Sequence, residues 1–258
     1  MKYFNQGYYT KAEKYFTDAK FFKPKSPKIL AHLGISLYKQ GKIGEAFNIL
    51  TEAKNLGSGD FRTYYYLGRI YYLRGDLDNA IKEFSHSFNL NKKSFLTAGN
   101  LASALYHKKD YKGSLMWAEI ATNLNSKDFE SWNLLGLSYK KLGFYNKALE
   151  AYDKAIEINP NYCKAYNNKA DLLLKMKNFK EAEDEIKEAI SVGENNNDKR
   201  CLLYSYTTQG EIFEAQRKMK EALKSYETAS NFFSSLWQDQ EINQFLKNKV
   251  NELKKYQK

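Results

Sequence analysis

"WNLLGLSYKKLGFYNKALEAYDKAIEINP", residues 132–160, sets small residues at regular intervals between large apolar ones. Read as helix, Trp132, Leu135, Gly136 and Tyr139 fall at i, i+3, i+4 and i+7, one face of a coil with about 3.6 residues per turn. Gly143 interrupts that helix. Ala148, Ala151, Tyr152, Ala155 and Ile156 form a second apolar stripe, which ends at Pro160 because proline cannot continue a helix. The spacing predicts two antiparallel helices. Gly136, Ala148 and Ala155 lack bulk where the backbones would approach most closely, and Trp132, Leu135, Tyr139 and Tyr152 would fill the space beside them. A hairpin this short cannot bury its own faces and needs neighbours.

The chain supplies them at a constant step of 34 residues: Gly34, Gly68, Ala102, Gly136 and Ala170 in the first helix. In the second helix Ala12, Ala46, Ala80, Ser114, Ala148 and Ala182 keep the same step, and so do Ala19, Ala53, Ser87, Ala121, Ala155 and Ala189. After Ala182 the register slips by six residues to Gly210, Ala222 and Ala229, which marks residues 197–202 as an insertion between repeats. Such internal periodicity is the signature of a repeat array in which each unit touches only its neighbours.

The pattern WxxLGxxY, then alanine, three residues and an aromatic, then alanine and proline, resembles the tetratricopeptide repeat. Residues 132–160 match it throughout, and complete repeats fall at 27–60, 61–94, 95–128, 129–162, 163–196 and 203–236. A partial leading repeat covers 1–26, and 237–258 reads as a capping helix with Trp237, Ile242, Phe245, Leu246, Val250 and Leu253 on one stripe. Single repeats depart from the pattern: Ala98 stands where a large aromatic belongs, Ser114 replaces an alanine, and Lys169 takes the place of Leu135. The resemblance implies an all-α, right-handed superhelical solenoid of antiparallel helix pairs.

Composition agrees with an all-helical chain, with 43% hydrophobic residues and only 14 Gly and 3 Pro in 258 residues. No run approaches the roughly 18 apolar residues of a membrane span, and the opening residues are too polar for a signal peptide. Cys163 and Cys201 lie far apart, fit no zinc or redox spacing, and are expected to be free thiols. A cytoplasmic location follows as the expectation. Gly7, Ala12, Phe16, Ala19 and Pro24 reproduce the second half of a repeat whose first helix is mostly missing, so the chain reads as a fragment of a longer one. Tyr3 and Phe4 then lack their usual partners and offer an edge for self-association.

The net charge of +11 is uneven: residues 1–128 carry 20 basic and 11 acidic side chains, residues 129–258 carry 21 and 19. The excess favours acidic partners. Nucleic acid needs a basic track with stacking aromatics, which Arg62, Arg69 and several tyrosines allow only weakly; RNA-reading helical repeats show a code of polar side chains at fixed places in each unit, and the corresponding positions here vary too freely. By the resemblance, first helices line a concave groove that takes a peptide. The groove face of repeat 61–94 holds Arg62, Tyr65, Tyr66, Arg69 and Tyr72, two charge-assisted donors beside three rigid amphipathic rings. Along the same face follow Asn100, Tyr106 and His107, then Asn133, Lys140 and Lys141, then Lys164, Asn167, Asn168 and Asp171. Thr207, Glu211 and Glu214 make the last repeat acidic. These residues predict an acidic or aromatic-bearing peptide as partner.

Some family members clamp a chaperone tail with Lys and Asn four residues apart, followed by Asn, then Lys and Arg. The equivalent first pairs here, Tyr65/Arg69 and Asn133/Leu137 among them, are never Lys/Asn, and Lys164/Asn168 matches the last pair only in part, so no such clamp is expected. His32, His86 and His107 form no triad with a nucleophile, "KEAEDEIKE" reads as a solvated helix face rather than a metal site, and "GSG" at 57–59 ends a helix and follows no strand. No cofactor, metal or catalytic role is expected. A protein-interaction scaffold is the leading reading. The rivals are an accessory region of a larger enzyme or membrane-anchored assembly factor, and nucleic-acid binding through the basic half.

Overall fold

The computed structural model of the chain describes residues 1–233 and 240–256. Two compact halves divide it, Met1–Ser126 and Lys127–Lys258. The N-terminal half holds α1 (Lys2–Asn5), α2 (Tyr9–Phe22), α3 (Pro27–Lys39), α4 (Ile43–Asn55), α5 (Phe61–Leu73), α6 (Leu77–Leu90), α7 (Phe95–His107) and α8 (Tyr111–Leu124). The C-terminal half holds α9 (Phe129–Lys141), α10 (Tyr145–Ile158), α11 (Cys163–Lys175), α12 (Phe179–Asn195), α13 (Lys199–Ala215), α14 (Met219–Phe232) and α15 (Gln240–Leu253). No strand occurs among the described residues.

Successive helices pack as hairpins. In the first half α3 packs on α4, α5 on α6 and α7 on α8, and the first helices α3, α5 and α7 also touch in sequence. In the second half α9 pairs with α10, α11 with α12 and α13 with α14, with α9, α11 and α13 in contact. Side-chain caps start many of these helices: Asp60, Asp76, Ser94, Asp110, Asp128 and Asp198 each accept from a backbone N–H of the first turn, satisfying donors that the helix itself cannot.

The turn inside each hairpin requires a left-handed residue. Gly41, Gly75 and Gly143 adopt φ of 80°, 77° and 84°, while the equivalent turns of other hairpins force Lys109, Lys177 and Arg217 to 68°, 65° and 63°. Only glycine takes this conformation without steric cost.

The small-residue column works as the sequence implied. A Cβ built on Gly34 would meet Leu50 at 2.6 Å, on Gly68 the Phe84 ring at 2.7 Å, on Gly136 the Tyr152 ring at 2.5 Å and on Gly210 the Tyr226 ring at 2.6 Å. Phe84, Tyr152 and Tyr226 are fully buried by this close approach. Where the column holds Ala170, the residue at the same offset is the smaller Ile186, in one core cluster with it. Lys169, an odd residue for a packing face, is clasped by Asp153 and Glu185, each at 2.6 Å. Trp132 is only half-buried, and His86 packs its ring on Tyr64 at 4.0 Å.

The six-residue slip does not make a long loop. It lengthens α12 and α13 to 17 residues each, where other second and first helices have about 14 and 13.

This lengthening corrects the reading of the cysteines as free thiols. Cys163 opens α11 and Cys201 lies in the first turn of α13; with these first helices side by side their Cα atoms are 6.1 Å apart, and the two form a disulfide. That separation lies within the usual disulfide range of about 4.4–6.8 Å. Paired cysteines belong to oxidising compartments, so the expectation of a cytoplasmic chain loses the support it drew from free thiols. No described helix is long and apolar enough to cross a membrane.

The N-terminal edge is also more complete than expected. Phe4 is buried, in edge contact with Phe16 and Tyr9, and Tyr3 stacks on Tyr15 at 5.2 Å. At the other end Leu246 and Leu253 of α15 are buried in a cluster with Leu223 and Tyr226 of α14, joined by Ile242, Phe245 and Val250. Trp237 lies outside the described residues.

Candidate peptide-binding faces

In the N-terminal half the candidate face belongs to α5, flanked by α3 and α7. Arg62 is the first point where the structure departs from expectation. Its guanidinium donates to Asp60 through Nη2 at 2.7 Å and Nε at 3.0 Å, and its Nη2 lies 3.1 Å from His32 Nε2. His32 Nδ1 sits 2.7 Å from the Lys28 carbonyl, which fixes the proton on Nδ1 and leaves Nε2 to accept from Arg62. Burial lowers the His32 pKa, consistent with a neutral ring. Burial pushes the Asp60 carboxyl up, but the hydrogen bonds and charge of Arg62 outweigh it and hold the group below its usual range. Phe4 covers the guanidinium at 5.6 Å. Arg62 is a structural tie between α3, α5 and the leading segment, and its charge is already spent on Asp60.

Arg69, two turns on, is different. No carboxylate pairs with it among the described residues. It is half-buried and lies 5.8 Å from the Tyr38 ring, and although burial pulls its pKa down, the neighbouring Tyr65 and the other tyrosines hold it above the usual arginine value. Tyr38 and Tyr66 are 4.8 Å apart, and Tyr65 meets Tyr66 edge-on at 5.1 Å. Burial, then the neighbouring Tyr65, pushes the Tyr66 hydroxyl up to about 12. The side chains of Tyr38, Tyr65, Tyr66 and Arg69 therefore form one amphipathic cluster. Tyr38 was not singled out, although it stands one repeat before Tyr72 in the same column.

Of the remaining residues of this half, Asn100, Tyr72 and His107 tie adjacent repeats together, and Tyr106 packs within its own. Asn100 donates to the Leu96 carbonyl at 2.8 Å and to the Tyr65 hydroxyl at 3.4 Å. Tyr72 and Ser103 share a hydrogen bond of 3.0 Å, and Tyr72 meets the exposed His107 edge-on at 5.7 Å. Tyr106 packs on His107 and Tyr111.

In the C-terminal half the face is polar and largely cross-linked to itself. Asn133 is buried and accepts from Asn168 Nδ2 at 2.8 Å. Lys140 is ion-paired with Asp171. Asn167 turns toward α13, accepting from Ser205 Oγ at 3.0 Å and donating to Cys163 Sγ at 3.2 Å. Thr207 donates within its own helix to the Leu203 carbonyl. Lys141 and Lys164 stay exposed. The acidic residues expected in the last repeat do gather: Glu214 accepts from Lys249 Nζ at 2.8 Å and from the Tyr226 hydroxyl at 2.9 Å. Burial, then the charge of Asp171, pushes Glu211 up to about 7, against the opposing effect of Lys249 and Lys140.

The sequence matches tetratricopeptide repeat family models over residues 32–85, 129–162 and 151–184. No curated protein matches it at a significant level. Among solved structures, the C-terminal part of a tetratricopeptide repeat-containing protein from Cytophaga hutchinsonii superposes with a TM-score of 0.65 at 18% identity, covering 89% of this chain and 92% of that one. A tetratricopeptide repeat protein from Parabacteroides merdae gives 0.70 at 17% identity, with 95% and 94% covered. YrrB, described as a tetratricopeptide repeat protein with an unusual peptide-binding site, gives 0.61 at 20% identity, with 69% and 91% covered.

Proposed function

Because the chain is a tetratricopeptide repeat protein, we propose that it is a protein-interaction scaffold that holds a peptide segment of a partner against the wall of first helices. The scaffold contributes no chemistry of its own. The single observation that carries this reading is Arg69, a half-buried guanidinium with no carboxylate partner among the described residues, ringed by Tyr38, Tyr65 and Tyr66. Folding leaves it hydrogen-bond donors in a partly desolvated, rigid aromatic setting, which is the composition of binding hot spots. A carboxylate or an acidic side chain next to an aromatic one satisfies both parts of the cluster. YrrB, with its described peptide-binding site, gives the same fold a matching precedent. In the C-terminal half the exposed Lys141 and Lys164 offer polar contacts of their own.

Screening an array of acidic and aromatic peptides by fluorescence polarisation tests the reading. Arg69→Gln should weaken the best binder by at least about 30-fold, as loss of a hot-spot residue does, with the melting temperature unchanged. Arg62→Gln should instead lower the melting temperature, because it strands Asp60 and His32. Equal peptide affinity in the Arg69 variant and the wild type would sink the assignment.

A further inference from the structure

At the C-terminal end of α2, Phe21 and Phe22 are 83% and 79% exposed. The repeat supplies its own control for these positions. Moving by the 34-residue step, the Phe21 column reads Asn55, Asn89 and Asn123, and the Phe22 column reads Leu56, Leu90 and Leu124. The first column is polar wherever else it occurs in this half, so the fold does not call for an aromatic at Phe21. The leucines of the second column are only 38–45% exposed, half the exposure of Phe22. Two large rings are thus presented to solvent at a place where the architecture is satisfied by Asn and Leu.

Their surroundings are predominantly basic, with Asp18 exposed one turn earlier on α2 and Glu52 at the edge of the adjacent depression. Residues 19–44 contain six lysines and no acid. Lys20 is paired with Glu52. Lys23, Lys25 and Lys28 are exposed and have no carboxylate partner among the described residues. The two rings meet edge to face at 5.4 Å, with their planes 88° apart, and so form one protruding aromatic patch at the helix end. The adjacent depression of about 440 Å³, between Lys25 and the α4 residues Phe47, Thr51 and Asn55, is lined by neither ring. A fluid boundary accepts such a protruding pair without a shaped recess, and the excess of lysine around it favours a boundary of negative charge.

We infer that this tip docks on an anionic lipid surface, with Phe21 and Phe22 entering the interfacial zone and Lys23, Lys25 and Lys28 held over the headgroups. Aromatic insertion and lysine attraction are each weak alone and together suffice for reversible adsorption.

The test is co-sedimentation of the purified chain with vesicles of phosphatidylcholine, with and without phosphatidylserine. Wild type should bind only the phosphatidylserine vesicles and be released by salt. Neutralising Lys23, Lys25 and Lys28 to Gln should lower partitioning on the order of a hundredfold, at about fivefold per lysine. Phe21→Asn with Phe22→Leu, which installs the residues that the same columns already tolerate, should lower it at least about tenfold while the thermal melt stays that of wild type. Binding that ignores phosphatidylserine, or that survives the phenylalanine changes, overturns the inference. So does a wild type that ignores vesicles while the same phenylalanine changes dissolve a dimer or abolish capture of an acidic peptide, since the patch would then be a protein interface.

Discussion

Gly136→Ala tests the packing rule on which the whole array depends. Gly136 lies inside α9, where alanine is favoured over glycine by about 1 kcal/mol on helix propensity alone. The new methyl, however, would sit 2.5 and 2.6 Å from two carbons of the Tyr152 ring, so the ring or the helix must move by about 1 Å to restore normal contact. Tyr152 is fully buried in a core cluster with Ala148 and Leu172, so its ring can shift only by displacing packed neighbours. Overpacking of this kind costs about 1–3 kcal/mol, enough to cancel the propensity gain and leave a net loss on the order of 1 kcal/mol. In a chain of this size that lowers the melting temperature by roughly 2–4 °C, measurable by circular dichroism. A second substitution sharpens the test. Tyr152→Ile opens a cavity beside glycine, but combined with Gly136→Ala it recreates the pairing of Ala170 with Ile186, so the double variant should be more stable than the sum of the singles by at least about 1 kcal/mol. A Gly136→Ala protein that melts higher than wild type would refute the reasoning, because it would show that propensity decides and the ring does not.

Other outcomes follow from features away from this seam. Cys163 and Cys201 are 38 residues apart, and chain-entropy reasoning gives a link over that span about 4 kcal/mol as an upper figure; urea unfolding of the Cys163→Ala, Cys201→Ala protein should show a substantial part of it, and identical midpoints would remove the disulfide from the account. Lys177 holds φ at 65°, so Lys177→Gly should stabilise by roughly 0.5–1 kcal/mol, and a loss of stability in the same denaturation assay would contradict it. Glu211, raised from 4.5 to about 7 by burial, binds its proton more tightly in the folded state than in the unfolded one. Its contribution to stability therefore falls as pH rises from about 4.5 to 7. Glu211→Gln should add about 1–3 kcal/mol at pH 8 and almost nothing at pH 4, and a gain confined to low pH would reverse the assignment.

The hairpins were legible because packing geometry writes itself into residue size: glycine at 34, 68, 136 and 210 answers a large side chain sixteen residues on. The candidate face was legible only by column. Position along the helix placed Tyr65, Tyr66 and Arg69 side by side, as they lie in the structure, but it could not say that Arg62 would be captured by Asp60 and His32, because that depends on a cap two residues away and on a ring from the preceding repeat. The same limit applies to Asn167, which its column assigned to the peptide face and its neighbour Ser205 draws toward α13. The disulfide was hidden because sequence distance measures nothing across a stack. The six added residues were plain in the register, but whether they would form a loop or extend two helices was decided by the neighbours they could bury against.

The bond between Cys163 and Cys201 joins the first helices of two successive hairpins. In an array held only by nearest-neighbour contacts, end hairpins ordinarily fray one at a time. A covalent link from α11 to α13 denies the terminal hairpin that independence: melting that starts at α15 and passes through α14 must stop at α13 or take α11 with it. The last two hairpins are thereby fused into one cooperative block, and the acidic cluster around Glu211 keeps its geometry for as long as its neighbouring repeat survives.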